Sequence, residues 1–462
     1  MSNRSLSLTG DESRVTPADL EPVTLGQVGD TLRRAGYGTQ GDNTRVENPA
    51  RDLLWALFDQ STPVALGEVT AHCEPDLPEL LARSGLVVLD GARLVPRVRI
   101  VRWCDLFVAG DLKGADSLHD DAVFAVSGTT SILENLRLDR PVKHALDLGC
   151  GSGALALRMA SLADKVTATD INARAVAFSR SNAALNRIET VAVDRGSLYD
   201  PLQGEAVDLI LGNLPFVLSP EQRLLYRDGN KPTEELVTEA VLGAAEHLKP
   251  GGVAQFTCNW PIRDPDAEEW VRDLAARTGI DMLAIEYRRR TPLDHTRNWN
   301  RPARATDPEV QLELEQRWTD WFKAQEIDHI GFGVLTLRRP ATARSGRFSY
   351  FVADRLPEAG GGRQVDRMLR ALDAPLTRNS VPGPVPHVVF QQLVHDGSGY
   401  DAMPAEIFSA ESAGICLTVP PDAIATIMAV DGCSNVAEIV GPDGSGYDTL
   451  DEAYRRGLVT LD

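Results

Sequence analysis

The sequence predicts an α/β fold, a sheet of mostly parallel strands with helices on both faces, with an accessory domain on either side. Three observations carry that expectation. Between residues 138 and 340, strand-like apolar runs alternate with helix-like runs, the pattern of strand–helix–strand units. The stretch ALDLGCGSGALAL, residues 145–157, ends a strand in glycines and opens a helix. The stretch DLILGNLPFV, residues 208–217, ends a second strand in Asn213, Leu214, Pro215 and Phe216.

A chain of 462 residues allows two to four domains at about 100–200 residues each. Hydrophobic residues make up 43% and charged residues 24%, an ordinary globular composition. No apolar run approaches the ~20 residues that span a bilayer. The polar start MSNRSLSLTGDESRV lacks the apolar core of a signal peptide. The six cysteines, at 73, 104, 150, 258, 416 and 433, stand singly, which argues against zinc and disulfides and leads us to expect a cytoplasmic protein with no bound metal. A net charge of −19 argues against nucleic acid as a partner, because phosphate contacts demand a basic footprint. One local exception is EYRRRTPLDHTRNWNRPAR, residues 286–304, read as a solvated loop or as an anion contact.

In chain order, residues 1–20 read as a flexible tail. Residues 21–115 place apolar side chains at three- and four-residue intervals in RDLLWALFD, LGEVTAHC and LPELLARSGLV, then turn at Asp90-Gly91 between two strand-like runs. Three helices and a hairpin suggest a winged-helix-like domain. Residues 116–342 hold the strand–helix series: HALDLGC, KVTATD, ETVAVDRG, VDLILGN, GGVAQFTCNW, DMLAIEYRRR and IGFGVLTLRR as strands, with helices between them. A run of small residues and glycines comes next, so residues 343–462 are expected to form a small α+β accessory domain.

The glycines of the first motif allow close approach of a ligand to backbone and positive φ. Asp147 precedes Gly149, Gly151 and Gly153, and Asp170 ends the next strand. An acid at the end of the second strand is placed to accept from ribose hydroxyls. A G-x-G-x-x-A reading through Ala156 would suit NAD, but a carboxylate beside the loop opposes a pyrophosphate and suits an ammonium. S-adenosylmethionine carries one.

From SGTTSILENL through ALDLGCGSG, TATD, RGSLYD, LGNLPF, LKPGG and GFGVLTLRRP, the chain resembles class I S-adenosylmethionine-dependent methyltransferases of the "small methyltransferase" type. It is similar to actinobacterial members that carry an extra N-terminal domain. The resemblance implies a Rossmann-like seven-stranded sheet. It also implies that Asp147, Gly149, Gly151 and Gly153 hold the methionine end, that Asp170 holds the ribose, and that Ser197 and Leu198 flank the adenine. Thr129 and Thr130 would lie near the cofactor or cover its pocket. The family's fourth strand ends in Asn-Pro-Pro-Tyr or Asn-Pro-Pro-Phe, and NLPF stands in its place with Leu214 for the first proline. There Asn213 and the Leu214 carbonyl would accept the two hydrogens of a planar nitrogen, and Phe216 would stack on the substrate. Tyr226, Arg227 and Asp228 after that loop, and Asn259 and Trp260 at the fifth strand end, are further candidates to line a pocket. His119 is a candidate base, more simply read as exposed, and His247 reads as structural.

These readings predict methylation of a nitrogen in a small molecule, peptide or protein, as in specialised metabolism, by a cytoplasmic enzyme that could be a homodimer. Transfer to oxygen or carbon, and a sensor that binds the cofactor without turnover, are the alternatives.

Overall fold

The computed structural model describes residues 20, 22–38, 48–112, 119–221, 227, 229, 231–263, 268–300, 308–395, 400–441 and 444–461. Of the expected tail at 1–20, residues 1–19 lie outside this set, as do Tyr226 and Asp228, whereas Leu20 is buried in the core. Contacts gather the chain into two units, Met1–Thr130 with Val142–Leu236, and Ser131–Pro141 with Val237–Asp462.

The first unit begins with helices Pro22–Arg34, Pro49–Phe58, Leu66–His72 and Leu77–Arg83. Asn48 caps the second helix through Arg51 N–H at 3.0 Å, and Pro49 fills its first position, where no N–H is needed. A short antiparallel sheet in the order Val64–Ala65, Arg93–Pro96, Val87–Asp90 completes this region, one helix and one strand more than the three helices and hairpin expected. Its core of Leu25, Val28, Leu32, Tyr37, Leu57 and Phe58 runs on into Phe178 and Leu185 of helix Ala173–Leu185. The N-terminal region therefore shares its hydrophobic core with the α/β layer.

That layer holds four parallel strands. Val142–Leu148 pairs with Ala163–Asp170 and Val207–Gly212, and Ala163–Asp170 pairs with Val191–Arg195. Ala145, Leu146, Val166, Ala168, Leu209 and Ile210 are buried, as befits strands covered on both faces. The connecting helices are Ala154–Met159 and Ala173–Leu185. The second presents Asn182 and Asn186, four apart on one face, to the strand Leu106–Gly110. Asn182 accepts from Ala109 N at 2.8 Å and donates to Ala109 O at 2.9 Å. Asn186 accepts from Phe107 N at 2.9 Å and donates to Phe107 O at 2.7 Å. Two side-chain amides thus stand in for a neighbouring strand, and the buried backbone of Leu106–Gly110 is satisfied on that edge.

In the second unit Leu248–Ile262 and Asp281–Arg290 each pair antiparallel with His329–Arg338. Phe348–Val352 then pairs parallel with Asp281–Arg290. This last strand lies beyond residue 342, in a stretch expected to belong to the accessory domain. Buried Asp281 anchors the approach to it: Arg338 and Arg344 each place guanidinium nitrogens 2.6–3.0 Å from its carboxylate, and Arg347 N donates to it at 3.0 Å. The glycine run before helix Gly362–Ala371 is a point of close packing, since a Cβ on Gly362 would lie 2.0 Å from Arg137 O.

The arginine-rich stretch forms the end of Asp281–Arg290 and the helix Pro292–Trp299, where a loop was one expectation. Arg289 pairs with buried Glu286 at 2.7 Å and Arg297 with Glu315 at 3.1 Å. Arg301 and Arg304 fall outside the described residues. The C-terminal part combines an antiparallel sheet, His387–His395, Tyr400–Ser409 and Cys416–Val419, with helices that include Val436–Val440 and Tyr447–Arg455. Ile407, Leu417, Val436, Leu450 and Tyr454 form its core.

Candidate active site

A cavity of about 210 Å³ opens at the C-terminal ends of the first unit's parallel strands, where open α/β sheets bind ligands. Its floor is the turn after Val142–Leu148. Gly149 and Cys150 both donate to Thr169 O at 2.9 Å, which ties the turn to the neighbouring strand. Gly149 stands at φ +71° and Gly151 at φ +54°. A Cβ on Gly151 would meet nothing within 4 Å, so this glycine faces open space. Gly153 differs. It does not line the cavity, and at φ +79° a Cβ there would lie 2.1 Å from Ser179 Oγ. Its smallness serves the packing of Ala154–Met159 against Ala173–Leu185, where the resemblance implied a ligand contact.

Asp147 is 1% exposed and lines the cavity. One carboxylate oxygen accepts from Ala156 N–H at 2.8 Å. The other, Oδ1, is buried with no hydrogen-bond partner among the described residues. Burial pushes the Asp147 carboxyl up to about 7, opposed by the Ala156 N–H and reinforced by the charge of Asp170. Asp170 also lines the cavity and accepts from Gly151 N at 2.9 Å and Asn172 N at 2.8 Å. Burial of its carboxyl raises its pKa against those N–H groups. Ser197 and Leu198 line the same cavity. Leu198 is held at φ +45°, uncommon for a leucine, with Thr169 Oγ1 donating to its carbonyl at 3.1 Å.

Asn213, Leu214 and Pro215 border the cavity from the fourth strand end. Leu214 lies over the glycine turn: a Cβ on Gly149 would come 2.7 Å from Leu214 Cδ2. Phe216 is 7% exposed and is not among the residues that line this cavity.

The wall is a segment that motif reading left almost unassigned. Asp111 accepts from Val123 N at 2.8 Å and pairs with buried Arg174. Ser152 Oγ donates to Ala125 O at 2.5 Å, and Asn172 Nδ2 to Asp121 O at 2.9 Å. Gly110 permits the approach, since a Cβ there would lie 2.4 Å from Ala125 N. Val123, Phe124, Ala125, Ser127 and Thr130 consequently face the cavity. Of the remaining candidates, Arg227 is buried and pairs with Glu221 at 3.2 Å. His119 is exposed, and His247 contacts Gly243 O at 2.9 Å within its helix. Asn259 and Trp260 are buried in the second unit, with Gly331 and Gly333 leaving room for the indole. No group of three or more metal-ligating side chains occurs among the described residues, and no described helix is long and apolar enough to cross a membrane.

Residues 119–272 match the family model of the methyltransferase small domain. A ribosomal RNA small subunit methyltransferase C of Alcanivorax borkumensis is 29% identical over 34% of this chain and 43% of its own. A release factor glutamine methyltransferase of Xylella fastidiosa is 32% identical over 32% of this chain and 57% of its own. The chain thus spans about half the length of these curated relatives. A solved methyltransferase from Pyrococcus furiosus aligns over 46% of this chain and 82% of its own, at 17% identity and a TM-score of 0.29. By the family match and these relatives, residues 119–272 are similar to methyltransferase domains.

Proposed function

We propose that the protein is an S-adenosylmethionine-dependent methyltransferase whose acceptor is a planar nitrogen of a small molecule, peptide or protein. The observation that carries the reading is Oδ1 of Asp147, buried without a hydrogen-bond partner among the described residues, in the wall of a glycine-floored cavity that Asn213 also borders. A buried carboxylate oxygen without a donor costs about 1–3 kcal/mol or more, and an ammonium group would satisfy it. Asp147 fits the methionine amino group, Asp170 the ribose hydroxyls, and Ser197 with Leu198 the base. Gly151, with open space in front of it, allows backbone approach.

The cofactor supplies a methyl group on a sulfonium, an electrophile with its leaving group already in place. The chain's residues then have to orient the acceptor and exclude water. The lone pair of a planar nitrogen is tied up in conjugation. Asn213 Oδ1 and the Leu214 carbonyl can each accept one of its hydrogens, which draws the nitrogen toward tetrahedral geometry. No strong base is required, because the proton can leave after transfer. Alignment of this kind is worth roughly 7–11 kcal/mol at best. Leu214 keeps the carbonyl that a proline would offer, and its side chain is seated on Gly149, which restores some of the rigidity that proline would have given.

One curated relative is named for ribosomal RNA and another for a release factor glutamine. The net charge of −19 favours the second kind of acceptor. Tritium transfer from labelled S-adenosylmethionine, with small ribosomal subunits, release factor and a small-molecule amide panel offered side by side, tests the reading. Transfer is expected to the protein or small-molecule acceptors, and to fall at least about 100-fold in Asn213→Ala. Full turnover by that variant would point to oxygen or carbon chemistry, and transfer to the ribosomal subunits alone would overturn the acceptor class. Cofactor uptake with no transfer to any of them would favour a sensor.

A further inference from the structure

Resting on the role of Asn213 just proposed, we infer that Thr130 and Ser127 are positioning residues that select which end of the Asn213 amide faces the acceptor. A carboxamide is nearly symmetric in shape. Rotating it by half a turn exchanges an acceptor oxygen for a donor nitrogen at little steric cost. Only the oxygen-inward orientation can take a hydrogen from the acceptor nitrogen, so something must break the symmetry.

The structure provides a hydroxyl cluster for this. Asn213 Nδ2 lies 3.1 Å from Thr130 Oγ1 and 3.4 Å from Ser127 Oγ. Ser127 Oγ lies 2.8 Å from both Thr130 Oγ1 and Thr129 Oγ1. Thr130 N donates to Ser127 Oγ at 3.1 Å, and Ser127 N to Thr130 Oγ1 at 3.4 Å. Each hydroxyl has one proton and two lone pairs. Either hydroxyl of each pair could donate; with the amide nitrogen turned to Thr130, as the structure has it, the matching arrangement is that Thr130 donates to Ser127 and Ser127 to Thr129. Thr130 Oγ1 then has its proton committed and turns a lone pair toward Asn213. It can accept from an amide nitrogen and cannot donate to an amide oxygen. The Asn213 nitrogen is drawn to Thr130, and the oxygen becomes the end presented to the substrate.

The cluster is rigid for a local reason. Ser127 immediately precedes helix Gly128–Leu136, and its side chain and that of Thr130 exchange backbone bonds in the manner of a reciprocal N-terminal cap. Thr130 is 8% exposed, so water competes little for its lone pair. The same turn that starts the helix therefore orients the amide.

The deciding experiment uses full-length protein labelled with 15N-asparagine, with S-adenosylhomocysteine as the probe ligand. The Asn213 side-chain NH2 signals are identified by their loss in Asn213→Ala. Thr130→Val keeps the shape and removes the acceptor, and is expected to shift both signals and speed their exchange with water. Thr130→Ser is expected to restore them, and Ser127→Ala to produce a smaller shift. Circular dichroism spectra are expected to match wild type in all three variants, which shows an intact fold. Unchanged Asn213 amide signals in Thr130→Val would overturn the inference, as would equal shifts in Thr130→Ser and Thr130→Val. Failure of the wild-type chain to take up S-adenosylhomocysteine would sink the methyl-transfer reading instead, and the amide spectra would still judge the hydroxyl cluster.

Discussion

The turn at residues 147–152 and the segment at residues 122–130 border one cavity and are held by opposite means. The turn is local. Its N–H groups bond to Thr169 O and Asp170 on the adjacent strand, and its glycines tolerate the positive φ that the path needs. The described residues of 106–111 and 121–130 are held from a distance. Asn182 and Asn186 substitute for a neighbouring strand along Leu106–Gly110. Farther along the same segment, Arg174 pins Asp111, Asn172 pins Asp121 and Ser152 pins Ala125. A ligand site can thus have one wall that tolerates little backbone change and another that depends on a few side chains far off in sequence.

The difference can be broken at either side. The largest expected effect is on the floor: Asp147→Asn should weaken S-adenosylhomocysteine binding about 10- to 100-fold, the worth of a charge-assisted bond, read by calorimetry. The same variant should be more stable than wild type at pH 8. The folded carboxyl sits near 7, above its ordinary 3.8, so the fold favours the protonated acid. Stability from this group is full below the unfolded value and is lost as pH rises through the folded one. A melting temperature higher by about 2–4 °C at pH 8, with the gap narrowing as pH falls toward 4, is the expected pattern.

On the wall, Asn182→Ala strands Ala109 N–H and C=O together with Ser152 O. Urea unfolding should show a loss of about 3 kcal/mol. Gly153→Ala places a Cβ against Ser179 at positive φ and should cost about 1–3 kcal/mol by the same assay. Smallest of all should be Phe216→Leu, at less than about 1.5 kcal/mol, with turnover within about twofold. A tenfold fall in turnover would return the ring to the role of stacking on the substrate.

The same contrast governs how much of the fold and site was legible in the sequence. The turn declared itself because Asp147, Gly149 and Gly151 lie within five residues and each is needed for a backbone reason. Asp170 was readable because it ends the next strand. The strands were readable as apolar runs, since burial on both faces leaves little room for polar side chains. Gly153 was assigned to the ligand because a motif gives residue types without saying which way they face, and its Cβ direction meets Ser179. The wall was unreadable for a different reason. Nothing in SNAALN distinguishes an asparagine that pairs with a strand 73 residues away from one on a solvated helix. The strand Phe348–Val352 was hidden likewise, because what makes it continue the sheet is the buried Asp281 and its arginines, brought together only by folding.

The most direct measurement is calorimetric titration of the wild-type chain with S-adenosylhomocysteine between pH 6 and 7.5, in buffers of different ionisation enthalpy. Binding to the ionised form of Asp147 should release a proton and tighten as pH rises, by up to about tenfold per unit below the folded pKa. An absence of binding heat, or an affinity that ignores pH and persists unchanged in Asp147→Asn, would contradict the account.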